Sequence, residues 1–403
     1  GMDVWTATSN ENIFRDSVKT ELSGNVLNLY AVRNEFESAQ ILLKNAEAFE
    51  ITGVSFTDLE NGDNRIASDN MKYNFVEYEY LPNNSAGQNA STVIRSAPAD
   101  FPDALSNEET ILVEADSTQP IWIRVYIPKG TPAGLYTGSV QVNTSKGAFS
   151  VPVQVQVYDV TIPDSKDAEF SFSFWSNLAG TWELNDEDDQ IKRLYGYDRY
   201  TDEWWELMGN VADLMRDNRS NNLYINPLTL VKDGPNTYID EEGTYHFDWS
   251  RFDEYIQFFM DKGVVKQLEG MTLLACVYGS DYNVYTLVGD PNEPLRRETL
   301  SYDDPRSQEW LNQFIPAYVE HITEKGWDTI WIQHIGDEPF NVSAQTTKWG
   351  AVRDMIRAVN PNIRCGDAVD NNDAFSAVRN LDSDIYFPIL SVHEENVEIC
   401  DGL

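Results

Sequence analysis

Two adjacent carboxylates, Asp337 and Glu338, sit in Gly336-Asp337-Glu338-Pro339, directly after the apolar run Thr329-Ile330-Trp331-Ile332-Gln333-His334-Ile335. Like charges this close cannot both ionise freely. One pKa is therefore expected to rise and leave its carboxyl protonated near neutral pH, as a general acid requires. Pro339 lacks a backbone donor and biases Glu338 towards extended geometry. The pair is expected at a strand end, where alternation relaxes and both side chains can reach one cleft. Among 66 acidic residues, neighbouring Asp and Glu also occur on solvated loops. The position after the most apolar strand is what carries the catalytic reading.

Positioning such a pair takes a scaffold, and the chain contains two patterns. Residues 1–165 read as short strands separated by turns. Val26-Leu27-Asn28-Leu29-Tyr30 alternates as a half-buried strand does, and others follow at Ala39–Leu43, Ile121–Ile127, Ser139–Val142 and Val151–Val157. Turn signals such as Pro128-Lys129-Gly130 and Pro132-Ala133-Gly134 lie between them, so an antiparallel β-sandwich is expected. From residue 166 to 403 apolar strands alternate with amphipathic helices, the pattern of parallel βα units. The strands are expected at Phe170–Phe174, Leu223–Asn226, Met271–Tyr278, Thr329–Ile335, Ile363–Gly366 and Ile385–Val392. One helical stripe runs Phe252, Tyr255, Ile256, Phe259, Met260. A second runs Trp310, Leu311, Phe314, Ile315, Tyr318, Ile322, kinked at Pro316 and closed by Lys325-Gly326. The fold class is thus multidomain β plus α/β: a sandwich followed by a (β/α)8-type barrel with its site on the C-terminal rim of the strands. Six strands are visible where eight are needed. Either two hide in Leu178–Asn222 and Tyr278–Ser307, or the barrel is incomplete at its C-terminus; the stop at Leu403 favours the second.

Composition narrows the function. A hydrophobic content of 41% and 403 residues suit globular domains, and no run of about 18 apolar residues is present to span a bilayer. The formal charge of −37 repels phosphate backbones, so nucleic acid is excluded as an expected partner and a neutral substrate fits best. Cys276, Cys365 and Cys400 read as free thiols; no metal-ligand spacing occurs, and neither a metal nor a cofactor is expected. The run Asn185-Asp186-Glu187-Asp188-Asp189 matches no calcium loop and reads as a solvated turn. Aromatics make up 12% of the chain and gather near expected loops at Trp175, Trp204-Trp205, Tyr278, Tyr282 and Tyr285. There they suit the C–H faces of sugars as well as core packing. Gly1 before Met2 reads as a processing scar, so a removed signal peptide and a periplasmic or extracellular location are expected.

Several phrases combine into a family resemblance. Ala31-Val32-Arg33-Asn34-Glu35-Phe36-Glu37-Ser38-Ala39-Gln40, Pro120-Ile121-Trp122-Ile123-Arg124-Val125 and Pro132-Ala133-Gly134-Leu135-Tyr136-Thr137-Gly138 resemble the N-terminal sandwich of glycoside hydrolase family 123. Tyr245-His246-Phe247-Asp248-Trp249-Ser250-Arg251-Phe252-Asp253 and the Asp-Glu-Pro box resemble its barrel. The resemblance implies an exo-acting β-N-acetylgalactosaminidase that works on glycan or glycolipid ends by substrate assistance. Asp337 would orient the 2-acetamido group and Glu338 would be the acid/base, with no enzyme nucleophile needed. The open alternatives are a double-displacement β-glycosidase with its nucleophile on a later strand, and a non-catalytic carbohydrate-binding protein.

Further rim positions are candidates for substrate contact. His334 lies late on the strand that carries the pair, with core and ligand roles both open. Asp367 and Asp370 follow the fifth strand, and His393 with Glu394 follows the sixth. Trp175 and Tyr278, at the ends of the first and third strands, could wall a sugar or pack the barrel.

Overall fold

The computed structural model describes residues 1–176, 178–179, 189–276, 281–339, 343–373, 375–376 and 381–400. The chain divides into two compact units, Gly1–Asp164 and Ser165–Leu403.

In the first unit, one five-stranded sheet runs Asp3–Thr8, Glu35–Lys44, Gln119–Ile127, Met71–Leu81, Ala99–Ser106 in spatial order. A second carries Leu27–Arg33, Gly147–Thr161, Gly134–Thr144, Phe49–Phe56 and Ile111–Val113, with the small Leu59–Asn61 and Asn64–Ile66 hairpin attached. Alternation explains the core. Ile121, Ile123, Val125 and Ile127 are fully buried while the residues between them are half-exposed, and Val151, Val153, Val155 and Val157 repeat the pattern in the second sheet. These rows join Leu27, Leu29, Ile41 and Leu43 in one apolar cluster between the sheets. All five strands expected here are present. The sandwich is not wholly antiparallel, however: Val153–Val157 pairs in parallel with Leu27–Ala31. A parallel pair needs a long crossover rather than a hairpin, and the intervening chain supplies it.

The second unit is built on a parallel sheet in which spatial order equals chain order: β1 (Asn222–Ile225), β2 (Gln267–Gly270), β3 (Trp331–Gln333), β4 (Arg364–Val369), β5 (Ile385–Pro388). Ser173 adds an isolated parallel bridge to Asn222 beyond β1. Among the described residues the sheet does not close on itself, so an α/β unit is present and an eight-stranded barrel is not seen. Helices Ser250–Asp261 and Pro305–Glu324 bury the expected stripes except for Met260, which is half-buried, and the second continues through Pro316. Trp204, expected near a loop, is fully buried on helix Asp202–Asp217 and packs edge-on against Trp205.

Three strand expectations need correction. Phe170–Phe174 forms only the single bridge at Ser173, and Phe170, Phe172 and Phe174 are exposed. The parallel strand expected at Met271–Tyr278 is instead Gln267–Gly270. The more apolar stretch turns back instead, pairing Leu274–Cys276 antiparallel with Tyr282–Val288, which in turn pairs with Arg296–Ser301. The strands hidden in Tyr278–Ser307 are therefore a hairpin excursion and add no barrel unit. Lastly, Ile385–Val392 stops at Pro388, because Pro388 ends the ladder and Leu390–Glu395 is helical. Residues 185–188 of the acidic run lie outside the described residues. Asp189 at its end is buried, caps helix Gln190–Tyr195 and pairs with Arg199 at 2.7 Å.

Candidate active site

Strand β3 ends at Gln333, and the chain then makes the turn that carries Asp337 and Glu338. Gln333 is buried among polar partners: it accepts from the Tyr318 hydroxyl at 2.8 Å and donates to the Met271 and His334 carbonyls. The turn itself is held from the next strand. Asp367 Oδ2, buried on β4, accepts the backbone N–H groups of Ile335 (2.9 Å) and Gly336 (3.1 Å) and the Trp349 indole N–H (2.8 Å). The Tyr282 hydroxyl donates to the Asp337 carbonyl at 3.0 Å. Glu338 is consequently not extended: its φ is +43°, in the left-handed region, against the expectation drawn from Pro339. A non-glycine residue held there costs on the order of 1–3 kcal/mol, tolerated because Asp367 and Tyr282 fix the residues before it.

Gly336 leaves room for this. A Cβ there would lie 2.6 Å from the Tyr282 ring carbon that carries the hydroxyl. Tyr282 is itself fully buried and cannot swing aside. Gly336→Ala should therefore lower stability by roughly 1–3 kcal/mol through overpacking and depress turnover by displacing Asp337. Denaturant unfolding and a kinetic assay check this; a neutral effect on both would show that the ring moves freely.

Asp337 lines a small recess with Trp175, Tyr224, Thr272, His334 and Asp367. Burial, and then the charges of Asp367 and Glu338, push its pKa up to about 6, with His334 working in the opposite direction. Glu338 is also raised, by burial and by Asp370, whose carboxylate follows β4. Burial also raises the Cys276 thiol, at the end of the Leu274–Cys276 strand, and the charges of both carboxylates add to it. Two coupled acids, both shifted towards the protonated form, can divide proton donation and acceptance between them.

Below the pair lies a second layer of charge. His334 is buried, with Nδ1 3.1 Å from Asp367 Oδ1 and Nε2 facing Glu269 Oε2 at 3.5 Å. Burial alone would lower its pKa; the bonds and charges of Asp367 and Glu269 outweigh this and lift it to about 9. Glu269, fully buried on β2, accepts from Ser173 (2.7 Å), the Trp175 indole N–H (2.8 Å) and Asn222 (3.0 Å). Burial pushes its pKa up, but these donors and His334 bring it below the usual value.

Of the residues expected to contact substrate, the structure brings Trp175, His334, Asp337 and Asp367 to one recess, with Glu338 next to it in the chain. Asp367 is a clamp on the turn and has both oxygens occupied. Trp175 is partly exposed and packs edge-on against His334 and Phe387. Asp370 is half-buried and accepts from the Asn371 amide at 2.6 Å. His393 is exposed on the helix after β5. Tyr278 lies outside the described residues. Glu269, Tyr224 and Trp349 were not singled out by sequence. For Glu269 a signal existed: a lone Glu in Gln267-Leu268-Glu269-Gly270, a strand-length segment between the helix turn Gly263 and the apolar run that follows. Among the described residues no cluster of His, Cys, Asp and Glu is arranged to hold a metal ion, and no helix is long and apolar enough to cross a membrane.

Two family descriptions match this chain: the glycoside hydrolase 123 N-terminal domain over residues 7–144, and the glycoside hydrolase 123 catalytic domain over residues 187–398. The chain belongs to glycoside hydrolase family 123. The second match contains the whole parallel sheet and both carboxylates, so the site lies in the glycosidase domain of the family. No curated protein matches the sequence. Among solved structures, a family 123 glycoside hydrolase from Clostridium perfringens, studied for the details of glycolipid glycan hydrolysis, superposes with a TM-score of 0.72 at 19% identity. That match covers 97% of this chain and 68% of the other. At that identity the likeness is one of fold. An FMN-binding β-glucuronidase from Faecalibacterium prausnitzii reaches a TM-score of only 0.30 at 10% identity, covering 90% of this chain and 45% of the other.

Proposed function

We propose that this family 123 chain is an exo-acting β-N-acetylgalactosaminidase that cleaves terminal residues from glycan or glycolipid oligosaccharides with retention, using the substrate's own acetamido group. The observation that carries this reading is how the carboxylates are engaged. Glu269 and Asp367 are both buried and each accepts from three or more donors, so neither has a free face to attack a sugar. Asp337 lines the recess with Glu338 next to it in the chain, and this pair is left for the chemistry.

In the proposed reaction the acetamido carbonyl oxygen attacks C1 while Glu338 gives its proton to the glycosidic oxygen, and the C1–O bond to the leaving group breaks. Asp337 accepts the acetamido N–H and balances the positive charge that develops on the oxazolinium. Water then attacks C1, Glu338 takes its proton, and the ring opens with net retention. Trp175 offers an apolar face beside the recess, suited to a sugar's C–H surface. The glycolipid chemistry named for the Clostridium perfringens enzyme supports a glycolipid headgroup as substrate, and such glycans are met in the periplasm or outside the cell.

The decisive test compares two inhibitors on a nitrophenyl β-N-acetylgalactosaminide. An N-acetylgalactosamine-derived thiazoline, which mimics the bicyclic intermediate, should inhibit, while a 2-fluoro sugar should leave no covalent adduct. An adduct trapped on Asp370 would establish double displacement instead, and binding without turnover of any β-N-acetylgalactosaminide would make the chain a lectin-like protein.

A further inference from the structure

The charged layer under the recess links two walls of the site. Trp175 donates its indole N–H to Glu269, Glu269 faces His334, His334 faces Asp367, and Asp367 grips the backbone of the turn that bears Asp337 and Glu338. The contacts cross from the segment before β1, over β2 and β3, to β4. Both ring nitrogens of His334 face carboxylates, Nδ1 in contact with Asp367 and Nε2 3.5 Å from Glu269, although the ring borders the recess.

We propose that His334 is a positioning residue, a buried cation between Asp367 and Glu269 that fixes the Trp175 wall and the Asp337 turn relative to each other and supplies the positive charge against which Asp337 ionises. This rests on the substrate-assisted reading above, in which Asp337 works as a carboxylate. The charge balance supports it. Around Asp337 stand the carboxyls of Asp367 and Glu338, with Asp370 beyond Glu338 and Glu269 against His334, and the neutral hydroxyls and thiol of Tyr224, Tyr282, Tyr285 and Cys276. Against these, among the described residues, His334 is the basic group acting on Asp337. Without it, burial and the charges of Asp367 and Glu338 would hold Asp337 further towards its protonated form, and a protonated carboxyl accepts the acetamido N–H poorly.

Two substitutions in the full chain move the charge in opposite directions. In His334→Gln the cation is lost, and the acid limb of the kcat/KM profile should move up by roughly one pH unit, about a tenfold loss at pH 6 with recovery above pH 8. In Glu269→Gln an acid is lost while the Asp367 contact keeps His334 charged, and the same limb should move down. Unfolding does not shift the two limbs in opposite senses, so limbs that stay put in both variants, or move together, overturn the proposal. A readout independent of turnover is the ring 15N spectrum of the four histidines, with His334 assigned by its loss in His334→Gln. Its ring should be doubly protonated at about pH 7.5, and a neutral ring there overturns the proposal. If the unmodified chain turns over no β-N-acetylgalactosaminide while the His334 ring is charged, the functional reading falls and the charged clamp stands.

Discussion

Replacing Glu338 by Gln should lower kcat/KM for a natural oligosaccharide by about 10³-fold and for a dinitrophenyl glycoside by less than about tenfold. The difference comes from the leaving group. A sugar hydroxylate is too basic to depart without a proton, and the amide of the variant has none to give at the right acidity. Dinitrophenolate leaves unaided, so ring closure by the acetamido oxygen proceeds with Asp337 and the recess intact. kcat/KM reports this first irreversible step, whereas kcat should fall for both substrates, because Glu338 also deprotonates the water that opens the oxazolinium. Glu338 is the more exposed of the pair, and its pKa is raised by burial and Asp370, which favours the protonated acid. Equal losses on both substrates would remove Glu338 from the acid role.

The pair was legible in sequence because two facts are local: adjacent acids repel, and an apolar strand delivers them to one place. Which of them shifts further was not legible. The pKa of Asp337 depends on Asp367, about thirty residues away in sequence, and on His334, whose own charge is held up by Asp367 and Glu269 from two different strands. The Pro339 rule failed for the same reason. A residue before proline prefers extended backbone by a small margin, and three hydrogen bonds to Asp367 and Tyr282 on the preceding residues override it. Asp367 has the sequence position of a ligand group on the rim, but its oxygens are filled from within by His334, Ile335, Gly336 and Trp349, partners that no local pattern announces.

The same limit governs the fold. Sandwich strands such as Gln119–Ile127 and Gly147–Thr161 alternate over much of their length, Ala39–Leu43 is a continuous buried run, and all five expected strands are present. The parallel strands β1 to β4 are buried on both faces over most of their length, and there apolarity reports burial and not pairing. Met271–Tyr278 is the more apolar segment, yet the ladder uses Gln267–Gly270, where the polar side chains of Glu269 and its neighbours are satisfied inside the sheet. Polar residues that break a hydrophobic pattern at such a strand are where the site's charges were to be found.

Asp337→Asn should separate function from stability in opposite directions. The substituted side chain keeps the shape but presents a neutral amide, which neither balances the oxazolinium charge nor accepts the acetamido N–H as a carboxylate does, so turnover should fall by about 10²- to 10³-fold. Its effect on folding has the other sign. The Asp337 carboxyl is pushed up to about 6 in the folded protein, from its usual 3.8 when unfolded. Between those values the folded state binds more protons than the unfolded state, so stability falls as pH rises from about 4 to 6 and the cost is complete above that. A shift of this size is worth at most about 3 kcal/mol. The variant carries no such cost, so its advantage in unfolding free energy over the unmodified chain should be small at about pH 4 and approach that limit at about pH 7. Urea unfolding at the two pH values measures it. A gap that does not widen with pH would mean that the charge on Asp337 is already compensated in the empty site, with His334 fully neutralising its neighbours. A gap that widens while activity disappears would mean that the buried acid is held against folding stability because the acetamido group needs it ionised.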